Sequence, residues 1–499
     1  MITDELTYRI RQSFGFEPTS EQQRAIDVFA GFLTDHDPQT AMILRGSAGT
    51  GKTTLAAAIV RALLSLKQKL VLLAPTGRAA KVFALHAGMP AYTIHRRIYR
   101  QQTAGLLPSL SASEGSSQAS FNLNNNLHHN TLFIVDEASM ISTSTLDGTF
   151  GSGCLLDDLI SYVYQGQNCR LLLIGDRAQL PPVGEEEAPA LMPGVVGAYG
   201  LSVYEADLNE VLRQSQQSGI LYNATVVRQM ITHDEMTQLP KIRFRGFPDI
   251  ISMPGDELID ALATSYRQVG EDETMVVTRS NKRANIYNLG IRNTVLDREE
   301  ELCRGDKLMI VKNNYAWLKP EAEGAKDSAK ADGADASPID FLANGDHCIV
   351  RRVRNFRELY GFRFADITIQ LPDYDDYELT ATAILDTLQS EAPALTREQQ
   401  GQLYNKVLDD YADLSLKGER IKAMKADPYY NALQVKYGYA VTCHKAQGGQ
   451  WTHVYIDQGY MTDDMLTPDY IHWLYTALTR ATEKVFLVNW PATQTASEG

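Results

Sequence analysis

Eight residues, Gly46-Ser47-Ala48-Gly49-Thr50-Gly51-Lys52-Thr53, constrain this chain more than any other stretch. They follow the apolar run Ala41-Met-Ile-Leu44 and lead into Leu55-Ala-Ala-Ala-Ile-Val60, a good helix former. Strand, glycine-rich loop and helix, in that order, are the setting a G-x-x-x-x-G-K-T phosphate loop requires. The glycines let the backbone curl until successive N–H groups face one anion, and the helix N-terminus adds its partial positive charge. Lys52 is placed to reach the β- and γ-phosphates, the Thr53 hydroxyl to ligate Mg²⁺, and Thr54 continues the cradle. The motif predicts binding of a nucleoside triphosphate together with Mg²⁺.

At 499 residues the chain has room for two to four domains. Hydrophobic content of 44% and charged content of 22% are those of an ordinary globular protein. No apolar run approaches a membrane span, and the first residues carry no secretion pattern. The five cysteines (154, 169, 303, 348 and 443) never form a C-x-x-C pair. Reduced thiols, a cytoplasmic location and no zinc site are expected. A net charge of −14 argues against a generally basic nucleic-acid coat and confines any such contact to a groove.

Glu17-Pro-Thr19-Ser20-Glu-Gln22 opens a helix, with Thr19 or Ser20 as its N-cap. A buried strand, residues 70–74, ends in Pro75-Thr76-Gly77-Arg78, a hydroxyl-and-cation turn suited either to a phosphate backbone or to a solvated helix start. Residues 101–130 turn polar and Asn-rich, a surface excursion that could be a small hairpin. The strand 131–135 delivers Asp136 and Glu137, and another, 170–174, delivers Gly175-Asp176-Arg177-Ala178-Gln179. Alternation of strand and helix predicts an α/β fold with a parallel sheet covered on both faces. A second α/β unit is expected from strands at 274–278, 435–444, 454–457 and 485–488. Within it, residues 306–432 form an insertion: short strands near 307, 347 and 364 suggest a small barrel, 320–337 a mobile loop, and 396–424 a charged helical part.

The acidic pair Asp136-Glu137 after a buried strand fits the second half of an NTPase, one carboxylate holding Mg²⁺ and the other activating water. Gln179 is placed to touch both γ-phosphate and water. Arg213 and Arg480 each lie at the edge of an apolar helical stripe, where a cation could stabilise charge on a transferring phosphoryl group or simply form a surface ion pair. Thr442-Cys-His444-Lys445-Ala-Gln-Gly448-Gly-Gln450 packs hydroxyl, imidazole and ammonium groups beside a glycine, with Gln450 within reach of a ribose. Thr93-Ile-His95-Arg96 is a second such cluster, suited to a single strand or to a solvated helix face.

These strings form an ordered set from residue 19 to 481: T-x-x-Q, GSAGTGKT, APTGRAAK, TIHR, IVDEASM, GDRAQLPPVG, LNEVLRQ, VTRSNKRAN, VTCHKAQGGQ and YTALTRA. The set resembles the RecD- and Dda-like helicases of superfamily 1B. The resemblance implies two tandem RecA-like P-loop domains and ATP-driven 5′→3′ movement on single-stranded DNA with duplex unwinding. It also implies single-stranded DNA and single/double-strand junctions as partners, work in DNA repair or recombination with protein partners there, and a monomer. By position, Gln22 would read adenine, Lys52 hold phosphates, and Thr53 and Asp136 hold Mg²⁺. Glu137 would activate water, Gln179 couple γ-phosphate to DNA, and Arg213 and Arg480 serve as arginine fingers. Pro75, Thr76, Arg78, His95, Thr442, His444 and Lys445 would line the DNA track. The implied division is 1–95 with 131–205 as the first motor domain, 96–130 as a strand-separating pin, and 206–305 with 433–499 as the second motor. Residues 306–432 would be an SH3-like insertion with a helical segment at about 380–430.

Overall fold

The structure is a computed structural model that describes residues 2–101, 121–144, 151–210, 217–232, 238–318 and 341–496. Two compact units emerge from it: residues 1–253 with 446–452 and 460–499, and residues 254–445 with 453–459.

The first unit opens with helices α1 (Ile2–Phe14) and α2 (Ser20–Thr34). Thr19 caps α2 in a complete capping box: its hydroxyl accepts the Gln22 N–H, and the Gln22 side chain accepts the Thr19 N–H. Then come β1 (Thr40–Gly46), α3 (Lys52–Ser65), β2 (Lys69–Ala74), α4 (Gly77–Ala87), β3 (Ala91–Thr93), α5 (Ile94–Ile98), β4 (Tyr99–Gln101), β5 (Phe121–Leu123) and β6 (Thr131–Val135). α6 (Leu155–Gln165), β7 (Arg170–Gly175), α7 (Pro193–Gly197), β8 (Ser202–Leu208), α8 (Gly219–Thr232) and β9 (Ile250–Met253) follow. Six strands make one parallel sheet in the order β3-β2-β6-β7-β1-β8. Its middle strands are buried along their whole length because helices cover both faces, as continuous runs such as Thr-Leu-Phe-Ile-Val demand. α1, α2 and α3 share one core through Ile10, Phe14, Ile26, Phe29, Phe32, Ile59 and Leu63. At the chain positions expected of a pin, β4 and β5 pair antiparallel (Tyr99↔Leu123). Residues 102–120 of that segment lie outside the described residues.

The second unit holds α9 (Leu258–Gln268), β10 (Thr274–Thr278), α10 (Asn281–Gly290) and the barrel strands β11 (Lys307–Ile310), β12 (His347–Leu359), β13 (Phe362–Leu371) and β14 (Tyr377–Ile384). Helices α11 (Arg397–Asp409) and α12 (Lys417–Lys425) precede β15 (Leu433–Tyr437), which closes a five-stranded barrel in the order β11-β12-β13-β14-β15. The helical segment packs against that barrel: Leu403, Val407 and Met424 bury themselves against Phe362, Phe364 and Ile384. β16 (Ala440–Thr442), α13 (Cys443–Ala446), β17 (Trp451–Asp457), α14 (Pro468–Leu478) and β18 (Ala481–Val488) complete the chain. β10 pairs parallel with both β16 and β17, and in the first unit β18 pairs parallel with β9.

The strand expected over 435–444 is two strands. Gly438 breaks it: its N–H bonds the Lys307 carbonyl (2.8 Å), and a Cβ there would lie 3.3 Å from His347 Nδ1. The residues before the break join the barrel and those after it join β10. The expected mobile loop 320–337 lies outside the described residues. Among the described residues no helix is long and apolar enough to cross a membrane.

Candidate nucleotide site

Strands β6, β7 and β1 are neighbours, so their carboxyl ends bring three loops to one edge of the first unit's sheet. β1 delivers the glycine loop, β6 delivers Asp136-Glu137, and β7 delivers Asp176 and Gln179. Gly49 and Gly51 sit at φ 78° and 79°, left-handed values that glycine adopts without cost. The N–H groups of Gly49, Gly51, Lys52 and Thr53 form no hydrogen bond among the described residues, whereas Ala48 N–H donates to the Tyr475 hydroxyl (3.0 Å). A run of unpaired donors at a helix start fits a polyphosphate.

The carboxylates are set by burial. Asp136 is pushed up to about 6, first by desolvation and then by the charge of Glu137, while Lys52 pulls it back. Asp176 is raised by burial against the opposing pull of Lys52 and of the Tyr475 hydroxyl, which donates to Asp176 Oδ2 at 2.5 Å. Glu137 occupies a left-handed conformation (φ 53°), and its N–H donates to Asp136 Oδ1 at 2.8 Å. Its Oε2 is buried with no partner among the described residues, and so is Gln179 Oε1. Buried polar atoms are rarely left unpaired, and two at the rim of one loop mark where a ligand's donors belong. The donor set fits Mg²⁺ and a triphosphate: one hydroxyl, one carboxylate, one ammonium and free N–H groups.

The other residues singled out from the sequence are placed as follows. Gln22 is buried with its Nε2 on the Thr50 carbonyl (2.9 Å), so it ties α2 to the glycine loop. Arg480 is 2% exposed and engaged by its own surroundings: Thr476 O at 3.1 Å, Gly449 O at 3.2 Å and Thr479 Oγ1 at 3.2 Å. Arg213 lies outside the described residues. Pro75 directly follows β2, and Thr76 caps α4 by accepting the Ala79 N–H. Arg78 donates to the Gln450 carbonyl (2.6 Å) and lies over the Trp451 ring (4.6 Å), while Gln450 itself is exposed. His95 is lowered to about 4 by burial and is therefore neutral at physiological pH. In the second unit Thr442 pairs in register with Thr278, and His444 is exposed. Lys445 Nζ is buried with no hydrogen-bond partner among the described residues.

Gly448 sits at φ 72°, and a Cβ there would lie 3.1 Å from Ala79 Cβ and 3.2 Å from Thr76 Oγ1. Gly448→Ala is expected to destabilise the chain by about 1–3 kcal/mol. Denaturant midpoints check this; an unchanged midpoint would mean that the loop relaxes freely.

Asp176 and Tyr475 stand inside motif strings of the sequence, which assigns neither of them a role. Asp176 carried a signal, an acid one residue past a buried strand as at Asp136. Tyr475 carried less, a hydroxyl five residues before Arg480. The Leu180 N–H donates to Thr476 Oγ1 (2.8 Å) and its carbonyl accepts from Gln447 Nε2 (2.6 Å), so the Gln179 loop is pinned on both sides.

The fold and this edge define a helicase-like P-loop protein. A model of the AAA domain matches residues 18–235, and one of the UvrD-like helicase C-terminal domain matches 437–488. The ATP-dependent RecD2 DNA helicase of Deinococcus radiodurans is 29% identical over 206 residues, covering 41% of this chain and 23% of that protein. Protein R530 of Acanthamoeba polyphaga mimivirus is 22% identical over 93% of this chain and 98% of its own length. Among solved structures, a Bacteroides Pif1 helicase in complex with ADP-AlF3 and ssDNA aligns over 97% of this chain and 95% of that one, at 14% identity and a TM-score of 0.44. The matched domain models and the RecD2 relative make the chain similar to the RecD-like helicases of superfamily 1B.

Proposed function

We propose that the chain is an ATP-dependent DNA helicase that moves 5′→3′ along single-stranded DNA and unwinds duplex. The observation that carries the ATPase part is the pair of buried, unpartnered atoms, Glu137 Oε2 and Gln179 Oε1, beside a glycine loop with free N–H groups. Lys52 and the loop N–H groups bind the phosphates. Thr53 and Asp136 would hold Mg²⁺, which would neutralise phosphate charge. Glu137 takes the proton of the attacking water, and Gln179 orients that water. Gln22 secures the loop from α2 and sits at the adenine end; Arg213 and Arg480 stabilise charge on the transferring group. The division into two RecA-like motors, the pin at 96–130 and the insertion at 306–432 are part of this reading. So is the DNA track of Pro75, Thr76, Arg78, His95, Thr442, His444 and Lys445. Direction, unwinding and track rest on the resemblance of the ordered motif set to superfamily 1B helicases.

The test is ATPase with and without single-stranded DNA, paired with unwinding of duplexes carrying a 5′ or a 3′ overhang. DNA-stimulated turnover with unwinding from the 5′ overhang alone is expected. Stimulation without unwinding would reduce the reading to a translocase, and no stimulation would remove DNA as the track.

Lys445 gives the DNA contact a pH signature. Burial lowers its pKa to about 8, with Lys436 adding repulsion. Phosphate contact needs the ammonium form, so DNA binding takes up a proton above that pH. Affinity for DNA is expected to fall by up to about tenfold per pH unit above 8, and Lys445→Arg to flatten the profile. A flat wild-type profile through pH 9 would remove Lys445 from the track.

A further inference from the structure

Arg228 lies midway along α8, in a stretch with no motif, yet its guanidinium reaches the glycine loop: Nη1 donates to Ser47 Oγ and Nη2 to the Asn209 carbonyl (3.3 Å). It lines a cleft of about 460 Å³ together with Gly46, Ser47, Asp176 and His472. Two other arginines line the same cleft, and each has a carboxylate. Arg45 meets Asp207 (2.6 Å) and Glu205 (2.5 Å), and Arg177 meets Glu187 (3.3 Å). Arg228 has only a hydroxyl and a carbonyl among the described residues, both neutral. A guanidinium carries five donors, so most of its hydrogen-bonding capacity and all of its charge are unspent. It stands beside a loop whose unpaired N–H groups fit an anion.

We propose that Arg228 is a phosphate-contacting residue of the nucleotide site, with Ser47 as the hydroxyl that positions it. The inference rests on the ATPase reading above and adds a cation to it. Arg228 reaches the loop from the side of Asp176, whose carboxylate feels the charge of Glu137. That is the hydrolytic end of the site, so its partner is the terminal phosphoryl group. Planar guanidinium pairs bidentately with phosphate oxygens, a gain that neutral acceptors do not offer. The contact also gives α8 a direct report of whether a third phosphate is present.

The test uses the full-length chain as wild type, Arg228→Ala, Arg228→Lys and Ser47→Ala. Affinities for fluorescent ADP and for ATPγS are measured beside DNA-stimulated turnover, with and without added guanidinium. Arg228→Ala is expected to weaken ATPγS by about tenfold or more while ADP changes little, and to lower turnover by about 10²-fold. Guanidinium should restore part of the turnover, and Ser47→Ala should lose part of the selectivity for ATPγS, since Arg228 keeps its charge but loses the hydroxyl that positions it. Equal loss of ADP and ATPγS without rescue would mean that Arg228 merely props the loop, and wild-type behaviour of Arg228→Ala would overturn the inference outright. A wild-type chain that neither binds nor hydrolyses ATP would instead overturn the ATPase reading itself.

Discussion

Glu137→Gln is expected to bind ATP with near wild-type affinity and to hydrolyse it at least about 100-fold more slowly. The substitution keeps shape and removes the one property required, a lone pair basic enough to take a proton from water. The backbone holds Glu137 where such a base is needed. The strand ends at Val135, the next residue is half-buried, and Glu137 turns into a left-handed conformation with its N–H on Asp136 Oδ1. A side chain other than glycine rarely adopts such a backbone without a reason, and here the turn leaves Oε2 buried and unpaired. Asp136, raised to about 6, is the weaker candidate for the base because Mg²⁺ would claim its lone pairs. Lys52→Ala separates the roles, since it is expected to lose phosphate binding along with turnover. Single-turnover hydrolysis and equilibrium nucleotide binding make the comparison. Wild-type turnover in Glu137→Gln would shift the base to Asp176.

The largest effect on stability is expected in the second unit, at Arg292. Its guanidinium bridges Asp306 through Nε (3.0 Å) and Nη2 (2.8 Å), with side-chain exposures of 2% and 0%. The same guanidinium bonds the Glu300 carbonyl (2.7 Å) and lies 4.5 Å from the centre of the Tyr437 ring. Asp306 in turn accepts from Cys303 N–H (2.7 Å) and the Tyr439 hydroxyl (3.2 Å). The pair joins the chain after α10 to the start of the barrel at β11. Arg292→Ala leaves a carboxylate buried with Arg298, at 3.5 Å, as its one cation among the described residues, which is expected to cost about 3–5 kcal/mol. The double variant Arg292→Met with Asp306→Leu should recover much of that loss, because no uncompensated charge remains. Amide exchange in β11 and β15 reads the result within this unit. Unchanged exchange in Arg292→Ala would show that Arg298 alone neutralises Asp306.

The glycine loop, the acidic pair and Gln179 were legible in the sequence because each is a contiguous string whose chemistry depends on local backbone. Thr19 as cap and Gln22 as its partner were legible for the same reason, although the second bond of Gln22, to Thr50, was not. The barrel was visible as three strands and has five, because β14 runs into the segment read as helical from about 380 and β15, beyond α11 and α12, was read into the second motor's strand at 435–444. The run 435–444 read as one strand because its apolar pattern is continuous; Gly438 divides it for a reason that lies in β11, more than a hundred residues earlier.

Contiguous strings therefore specify the anion-binding loop, the residue types around it, the α/β class and the resemblance to superfamily 1B helicases. Long-range packing selects which side chains complete the site. Tyr475 joins Asp176 across 299 residues and Arg228 joins Ser47 across 181. Strand order sets those meetings, since β6, β7 and β1 are adjacent in space and distant along the chain. Strand order follows from the burial of whole sheet faces, a sum over many weak contacts that no short string encodes.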